Sequence, residues 1–181
     1  MRVISGSLRG LKLESLPGLD TRPTLDRVKE ALFSMLFDKP VDSVGLDLFA
    51  GSGGLGIELL SRYGMECTFV DASGDAIRIV NTNIKKARLE DKAYVIQKDS
   101  VAFLKETNKK FDIIFLDPPY ASGLYRDVLD VIKERAILAP SGVITCECDA
   151  DYELDCTGFD VIKDKTYGKV RLYVLGEANH Q

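Results

Sequence analysis

Tryptophan is missing from this 181-residue chain, and histidine occurs once, at position 180. Four cysteines and one tail histidine do not make a metal centre, because the usual zinc patterns need a second Cys pair or paired histidines. Cys67, Cys146 and Cys148 fall inside apolar runs and Cys156 in an acidic segment. They read as buried or idle thiols rather than a disulfide scaffold, and no metal is expected. No apolar run approaches the ~20 residues that cross a bilayer. The opening Met1-Arg2-Val3-Ile4-Ser5-Gly6 lacks the apolar core of a signal peptide. These absences give the expectation of a cytoplasmic protein with no membrane partner, and a monomer by default. Also lacking is a phosphate-binding lysine: Gly56 is followed by Ile57-Glu58, where a P-loop would need Lys and Ser or Thr. Nucleoside triphosphate hydrolysis is thereby excluded.

Charge is scarce in one sense and uneven in another. The formal net charge is −4, which argues against indiscriminate binding of a polyanion over the whole surface. Residues 1–40 carry seven Lys/Arg against five Asp/Glu, a balance of +2 that leaves −6 on the remainder. Residues 147–160 hold six acids and no base. A bound polyanion would therefore meet the N-terminal segment, and the acidic stretch would have to face away from it.

The most informative stretch is Phe111-Asp112-Ile113-Ile114-Phe115-Leu116-Asp117-Pro118-Pro119-Tyr120. An apolar run of strand length ends in an acid, two prolines and an aromatic ring. Proline has no N–H and a locked φ, so the strand stops and the corner is stiff. Open α/β sheets place ligand crevices at such carboxyl ends. The Asp117 carboxylate and the Pro118 carbonyl can both accept from one planar –NH₂ group, and the Tyr120 ring can stack on the base that carries it.

A second feature lies upstream. Val44-Gly45-Leu46-Asp47-Leu48-Phe49 reads as a buried strand running into Ala50-Gly51-Ser52-Gly53-Gly54-Leu55-Gly56 and then a helix. Glycine lets a ligand approach backbone that a Cβ would block. The helix N-terminus beyond it offers unpaired N–H groups. Asp71 closes the next strand about 20 residues past the turn, where an acid suits a ribose hydroxyl pair. Together these point to a nucleoside-type cofactor.

From residue 44 onward strand and helix patterns alternate. Strands read near 44–49, 66–71, 93–97, 111–117 and 142–147, and helices near 54–63, 73–89, 100–107 and 123–136. Alternation with near-continuous apolar strands implies a parallel sheet covered on both faces. Residues 159–163 and 170–175 lack room for a crossover helix and must form an antiparallel hairpin. Before residue 40, residues 1–14 look like a short hairpin. Arg22-Pro23 reads as extended, and Thr24 reads as the N-cap of a helix beginning at Leu25. The expected division is an N-terminal hairpin-and-helix extension over 1–40 and a main domain over 41–181. Asn83 reads as a structural contact, and Tyr125 and Arg126 as packing and surface.

Asp47-Leu48-Phe49-Ala50-Gly51-Ser52-Gly53 combined with Asp117-Pro118-Pro119-Tyr120 resembles the S-adenosylmethionine-dependent amino-methyltransferases. Arg9-Gly10-x-Lys12 and Arg22-Pro23-Thr24-x-x-Arg27-Val28-Lys29-Glu30-Ala31-Leu32-Phe33 resemble, within that group, the bacterial RsmD-type enzymes, which methylate a guanine N2 amine of 16S ribosomal RNA. The resemblance spans nearly the whole chain. It implies a class I, Rossmann-like α/β fold, with a seven-stranded, mostly parallel sheet ending in an antiparallel hairpin.

The resemblance also implies roles. Asp47, Phe49 and the backbone from Ala50 through Gly51 and Ser52 to Gly53 would hold the methionine part of S-adenosylmethionine. Asp71 would bind its ribose hydroxyls and Asp99 would reach its adenine amine, with Ala72 and Ser100 beside them among the cofactor-binding residues. Asp117, bordering the cofactor, would take the target base with Pro118, Pro119 and Tyr120. Arg9, Lys12, Arg22 and Thr24 would guide 16S rRNA, free or within a 30S subunit or assembly intermediate. Asp99 also reads as an N-cap of the helix after it. Two other readings stand beside this one: a DNA adenine-N6 or cytosine-N4 methyltransferase, and a non-catalytic cofactor-binding ribosome assembly factor.

Overall fold

The computed structural model describes residues 1–18, 23–36, 42–63, 65–119 and 123–178, with the side chains of 23–25 left aside. Seven strands form one sheet in the order β3-β2-β1-β4-β5-β7-β6. β1 (Val44–Asp47), β2 (Glu66–Asp71), β3 (Ala93–Gln97), β4 (Phe111–Leu116) and β5 (Leu138–Asp149) run parallel. β7 (Val170–Glu177) pairs antiparallel with both β5 and β6 (Phe159–Tyr167). The expected mostly parallel sheet with its closing hairpin is the observed one.

Side chains alternate across the strands and build two cores. On one face α4 (Ser100–Glu106) and α5 (Leu124–Glu134) pack Phe103, Leu104, Val128 and Leu129 against Leu46, Val70, Ile114 and Ile144. On the other face α1 (Pro23–Met35), α2 (Gly54–Tyr63) and α3 (Gly74–Ala87) pack Leu32, Phe33, Ile57 and Val80 against Phe69, Ile113 and Phe115. Val3 and Leu13 join this second core, so the N-terminal segment is fastened to the sheet by apolar burial. Polar ties add to it. Lys163 Nζ in β6 donates to the Met35 carbonyl at 2.8 Å, and Asn83 Nδ2 in α3 donates to Glu14 O at 2.9 Å and Ser52 O at 2.8 Å. Asn83 is thus the structural contact expected.

Two boundaries differ from the sequence reading. α1 begins at Pro23, so Thr24 lies inside the first turn rather than at a cap before Leu25. Proline suits the first helical position because its missing N–H would have no partner there anyway. β5 starts at Leu138, not near 142, because Leu138 pairs with Phe111 before the register breaks and resumes at Ile113–Val143. The extra residues bulge outward at Pro140 and Ser141 (φ 61°), where no ladder N–H is required of the proline. The short N-terminal hairpin forms as expected: Arg2 bridges Lys12, Val3 N donates to Leu11 O at 2.9 Å, and Leu13 N donates to Met1 O at 2.8 Å. Among the described residues no helix is long and apolar enough to cross a membrane.

Candidate active site

β1 and β4 are adjacent, and their carboxyl ends open into one cleft of about 650 Å³. β1 ends on Asp47, which is buried and aims its Oδ2 at the N-terminus of α2, accepting the Gly56 N–H at 3.0 Å. The turn between them is held from the far side as well. Ala50 N donates to Val70 O at 3.0 Å, and Gly51 N donates to Asp71 Oδ2 at 2.9 Å. The other Asp71 oxygen accepts Ser73 N at 2.9 Å, so this acid braces the glycine turn and the entry to α3 together.

The glycines of the turn divide by duty. Gly51 has φ 57°, and a Cβ there would meet nothing within 4 Å, so the missing side chain leaves backbone bare toward open space. Gly56 is the opposite case: a Cβ would stand 2.3 Å from Phe69 Cε1, so that glycine lets α2 close on β2. Gly53, at φ 83°, turns its vacant position toward Phe69, Ile57 and Val80 and is not among the cleft-lining residues.

Of the residues singled out in the sequence, Asp47, Phe49, Ala50, Gly51 and Ser52 line the cleft on the β1 side. Asp71, Ala72, Asp99 and Ser100 continue the wall from β2 and the start of α4. Asp117, Pro118 and Pro119 line it where β4 ends. Asp99 also caps α4, its Oδ1 accepting Ala102 N at 2.9 Å. Arg9 and Lys12 are exposed and lie outside the cleft lining. Tyr120, Arg22 and the Thr24 side chain fall outside the described residues.

Sequence reasoning missed Glu147. It lines the cleft together with Asp117, so the acidic stretch 147–160 does not face wholly away from the site. The signal was present in the alternation of β5: Cys146 and Cys148 are buried in one core, which turns the residue between them to the other side of the sheet. The Tyr125 hydroxyl donates to the Glu147 carbonyl and anchors this end of β5 to α5.

The cleft is crowded with carboxyl groups that burial and mutual repulsion make slow to give up their protons. Burial pushes the Asp47 carboxyl up to about 7; the Gly56 N–H opposes the shift, and the charges of Asp117 and Asp71 add to it. Asp117 is open to the cleft, but the protein around it raises its carboxyl too. Glu147 is raised by burial first and by the Asp117 charge second. Lys29 supplies a cation in the lining, with Nζ 2.6 Å from Arg2 O and 3.1 Å from Glu58 Oε2. No group of three or more metal-ligating side chains is assembled among the described residues.

Comparison with known proteins places this architecture. Residues 1–176 match the family described as "Conserved hypothetical protein 95". YlbH of Bacillus subtilis (strain 168) is 43% identical over 173 residues, 93% of this chain and 94% of that one. Ribosomal RNA small subunit methyltransferase D of Haemophilus influenzae is 37% identical over 179 residues, 96% of this chain and 93% of that one. The solved structure of yhhF from Escherichia coli superposes with a TM-score of 0.86 at 32% identity, covering 98% of this chain and 97% of that one. A glycine turn braced by Asp71, an Asp-Pro-Pro corner facing the same cleft and near-complete alignment with these relatives agree, and the chain belongs to the RsmD family of class I methyltransferases.

Proposed function

We propose that this protein transfers a methyl group from S-adenosylmethionine to the exocyclic N2 amine of a guanine in small-subunit ribosomal RNA. The observation that carries the reading is the meeting of the Gly51 turn and the Asp117-Pro118 corner across one cleft. The cleft suits the donor on three grounds. Its volume is within the range of small-molecule sites. The Gly51 backbone in its lining is bare, with no Cβ to stand beside a ligand. The cleft's buried carboxyls resist ionisation alone, and a ligand that carries positive charge would stabilise their charged form.

In this reading Asp47 and the turn from Phe49 to Ser52 hold the methionine part, Asp71 and Ala72 the ribose, and Asp99 and Ser100 the adenine. When bound, S-adenosylmethionine supplies a methyl group activated by a sulfonium. The protein's own contribution falls on the nucleophile. An exocyclic aryl amine is unreactive because its lone pair is delocalised into the ring. The Asp117 carboxylate and the Pro118 carbonyl accept its two N–H bonds and favour a pyramidal nitrogen with a directed lone pair. Fixing that geometry is worth up to ~7–11 kcal/mol in well-oriented systems. The amine becomes cationic as it reacts, and Asp117 stabilises the charge that develops. Pro118 and Pro119 keep the acceptors from relaxing away, since neither can rotate freely about φ. A base reached in this way must leave its stack, and Tyr120 is assigned to stack on it in compensation.

Residues 1–40 are assigned to RNA contact, with Arg9, Lys12, Arg22 and Thr24 as guides. Met1, Ser15, Asp26 and Val28 reach the cleft lining from this segment, so an RNA bound along it passes the site. The test is transfer of labelled methyl into 30S subunits from cells lacking the protein, with the product located by mass spectrometry. N2-methylguanine in small-subunit rRNA is the expected product. Label in duplex DNA and none in the subunit would overturn the reading.

A further inference from the structure

We propose that Glu147 selects guanine by accepting the N1–H that flanks the target amine. The inference rests on the guanine-N2 reading above and names the residue that gives it base specificity. Leu116 in β4 pairs with Cys146 in β5, and both bury their side chains in the same core. One residue further along come Asp117, just past the end of β4, and Glu147 in β5, near enough for the charge of Asp117 to act on Glu147. Their side chains emerge opposite to that core, and both line the cleft. The Tyr125 hydroxyl on the Glu147 carbonyl fixes the backbone from which this side chain leaves.

Guanine presents three donors in a row on one edge, N1–H and the two hydrogens of N2. Three residues that carry acceptors line this part of the cleft: Asp117 with its carboxyl, Pro118 with its carbonyl and Glu147 with its carboxyl. With the first two on the amine, the third falls to N1–H. Adenine and cytosine also carry an exocyclic amine, but the ring atom beside it is a bare lone pair. That lone pair would face the Glu147 carboxylate and repel it. Burial and the charge of Asp117 raise the Glu147 carboxyl to about 8, so the discrimination belongs to its carboxylate form and is read above that pH, where the group has no proton to offer a lone pair. A site built to hold a donor rejects analogues lacking it far more strongly than a site shaped only by apolar contact.

The experiment compares guanine with 2-aminopurine, which keeps the N2 amine, replaces N1–H by a lone pair and lacks O6, so the part of the preference that Glu147→Gln abolishes is the part read as the N1–H contact. Small-subunit rRNA joined from synthetic segments carries either base at the position that the protein methylates. Affinity is measured with S-adenosylhomocysteine bound, and methyl transfer is measured in parallel. The wild-type protein is expected to favour guanine by about thirtyfold or more. In Glu147→Gln the amide can donate to the lone pair, and the preference is expected to fall below about threefold. Affinity for S-adenosylhomocysteine and the thermal midpoint serve as folding controls. Equal treatment of the two bases by the wild-type protein overturns the proposal without any variant, as does an undiminished preference in Glu147→Gln. Wild-type protein that methylates no guanine N2 at all overturns the function reading beneath it, and this inference with it.

Discussion

Lys29 and Glu58 form a buried ion pair, Nζ to Oε2 at 3.1 Å, with side chains 8% and 0% exposed. Glu58 also accepts the backbone N–H groups of Ile4 at 2.9 Å and Ser5 at 3.0 Å, and Arg62 Nε at 2.8 Å. One carboxylate thus gathers the N-terminal segment, α1 and α2 behind the cleft. Glu58→Ala would leave two cations and two backbone donors without their acceptor, a loss of about 3–5 kcal/mol. Lys29→Met is the milder change, about 1–2 kcal/mol, because Arg62 remains on the carboxylate. Urea denaturation of the two variants checks the order. A Lys29→Met variant less stable than Glu58→Ala would contradict the network as drawn.

Two glycines of the same turn should fail in different ways. Gly51→Ala puts a methyl group into open cleft at φ 57°, a conformation that costs an L-residue about 1–2 kcal/mol. The expected result is a modest drop in stability with at least tenfold weaker binding of S-adenosylhomocysteine. Gly56→Ala drives a methyl against the Phe69 ring, and overpacking of this kind costs about 1–3 kcal/mol or more. Its signature is a lowered unfolding midpoint. Calorimetry on both variants separates binding from stability, and equal binding losses in the two would refute the division.

Much of this arrangement is legible in the sequence because its causes are local. Asp117 stands at a corner since two prolines follow it, and Gly51 turns because glycine tolerates positive φ; neither depends on distant partners. The alternating apolar strands likewise announce a parallel sheet. What escapes are residues whose meaning is made by neighbours far along the chain. Glu58 sits among Ile57, Leu59 and Leu60 and becomes intelligible only when Lys29 and the Ile4–Ser5 backbone arrive. Glu147 reads as the first of six acids until the β4–β5 register sets it beside Asp117. The start of β5 is hidden by Pro140, which argues for a strand boundary in sequence but occupies a bulge in the fold.

Asp117→Ala should separate binding from chemistry. The cleft and the glycine turn remain, so affinity for S-adenosylhomocysteine is expected to stay within a few fold. Turnover is expected to fall by two to four orders of magnitude, the range forfeited when a positioned group that stabilises developing charge is removed. Single-turnover kinetics reads this directly. Unchanged turnover would remove Asp117 from the mechanism.

The basic N-terminal segment predicts a salt signature. Arg9 and Lys12 are exposed, and Arg22 shares the segment. Removing one cation that neutralises a phosphate should lower the slope of log affinity against log salt by roughly 0.7–0.9. Neutralising Arg9 and Lys12 together is therefore expected to reduce the slope by up to about 1.5 while leaving cofactor affinity unaltered. An unchanged slope would move the RNA path elsewhere.

Asp47 should leave a mark on the pH dependence of stability. Its carboxyl is raised to about 7 in the fold, above its ordinary value, so the folded state binds this proton more tightly than the unfolded chain does. The contribution is therefore most favourable below about 4 and is lost as pH climbs through the folded value near 7, with a slope approaching about 1.4 kcal/mol per pH unit. Asp117, Asp71 and Cys67 face the same carboxylate, and Gly56 N–H is its donor. Asp47→Asn keeps an acceptor for Gly56 and removes the charge. Relative to the wild-type protein it should gain stability steadily between pH 4 and 7 and gain nothing further above that. Denaturation curves that stay parallel across this range would mean that Asp47 carries no such proton. The same substitution removes a negative charge from the turn, so its binding of cationic S-adenosylmethionine should weaken more than its binding of neutral adenosine.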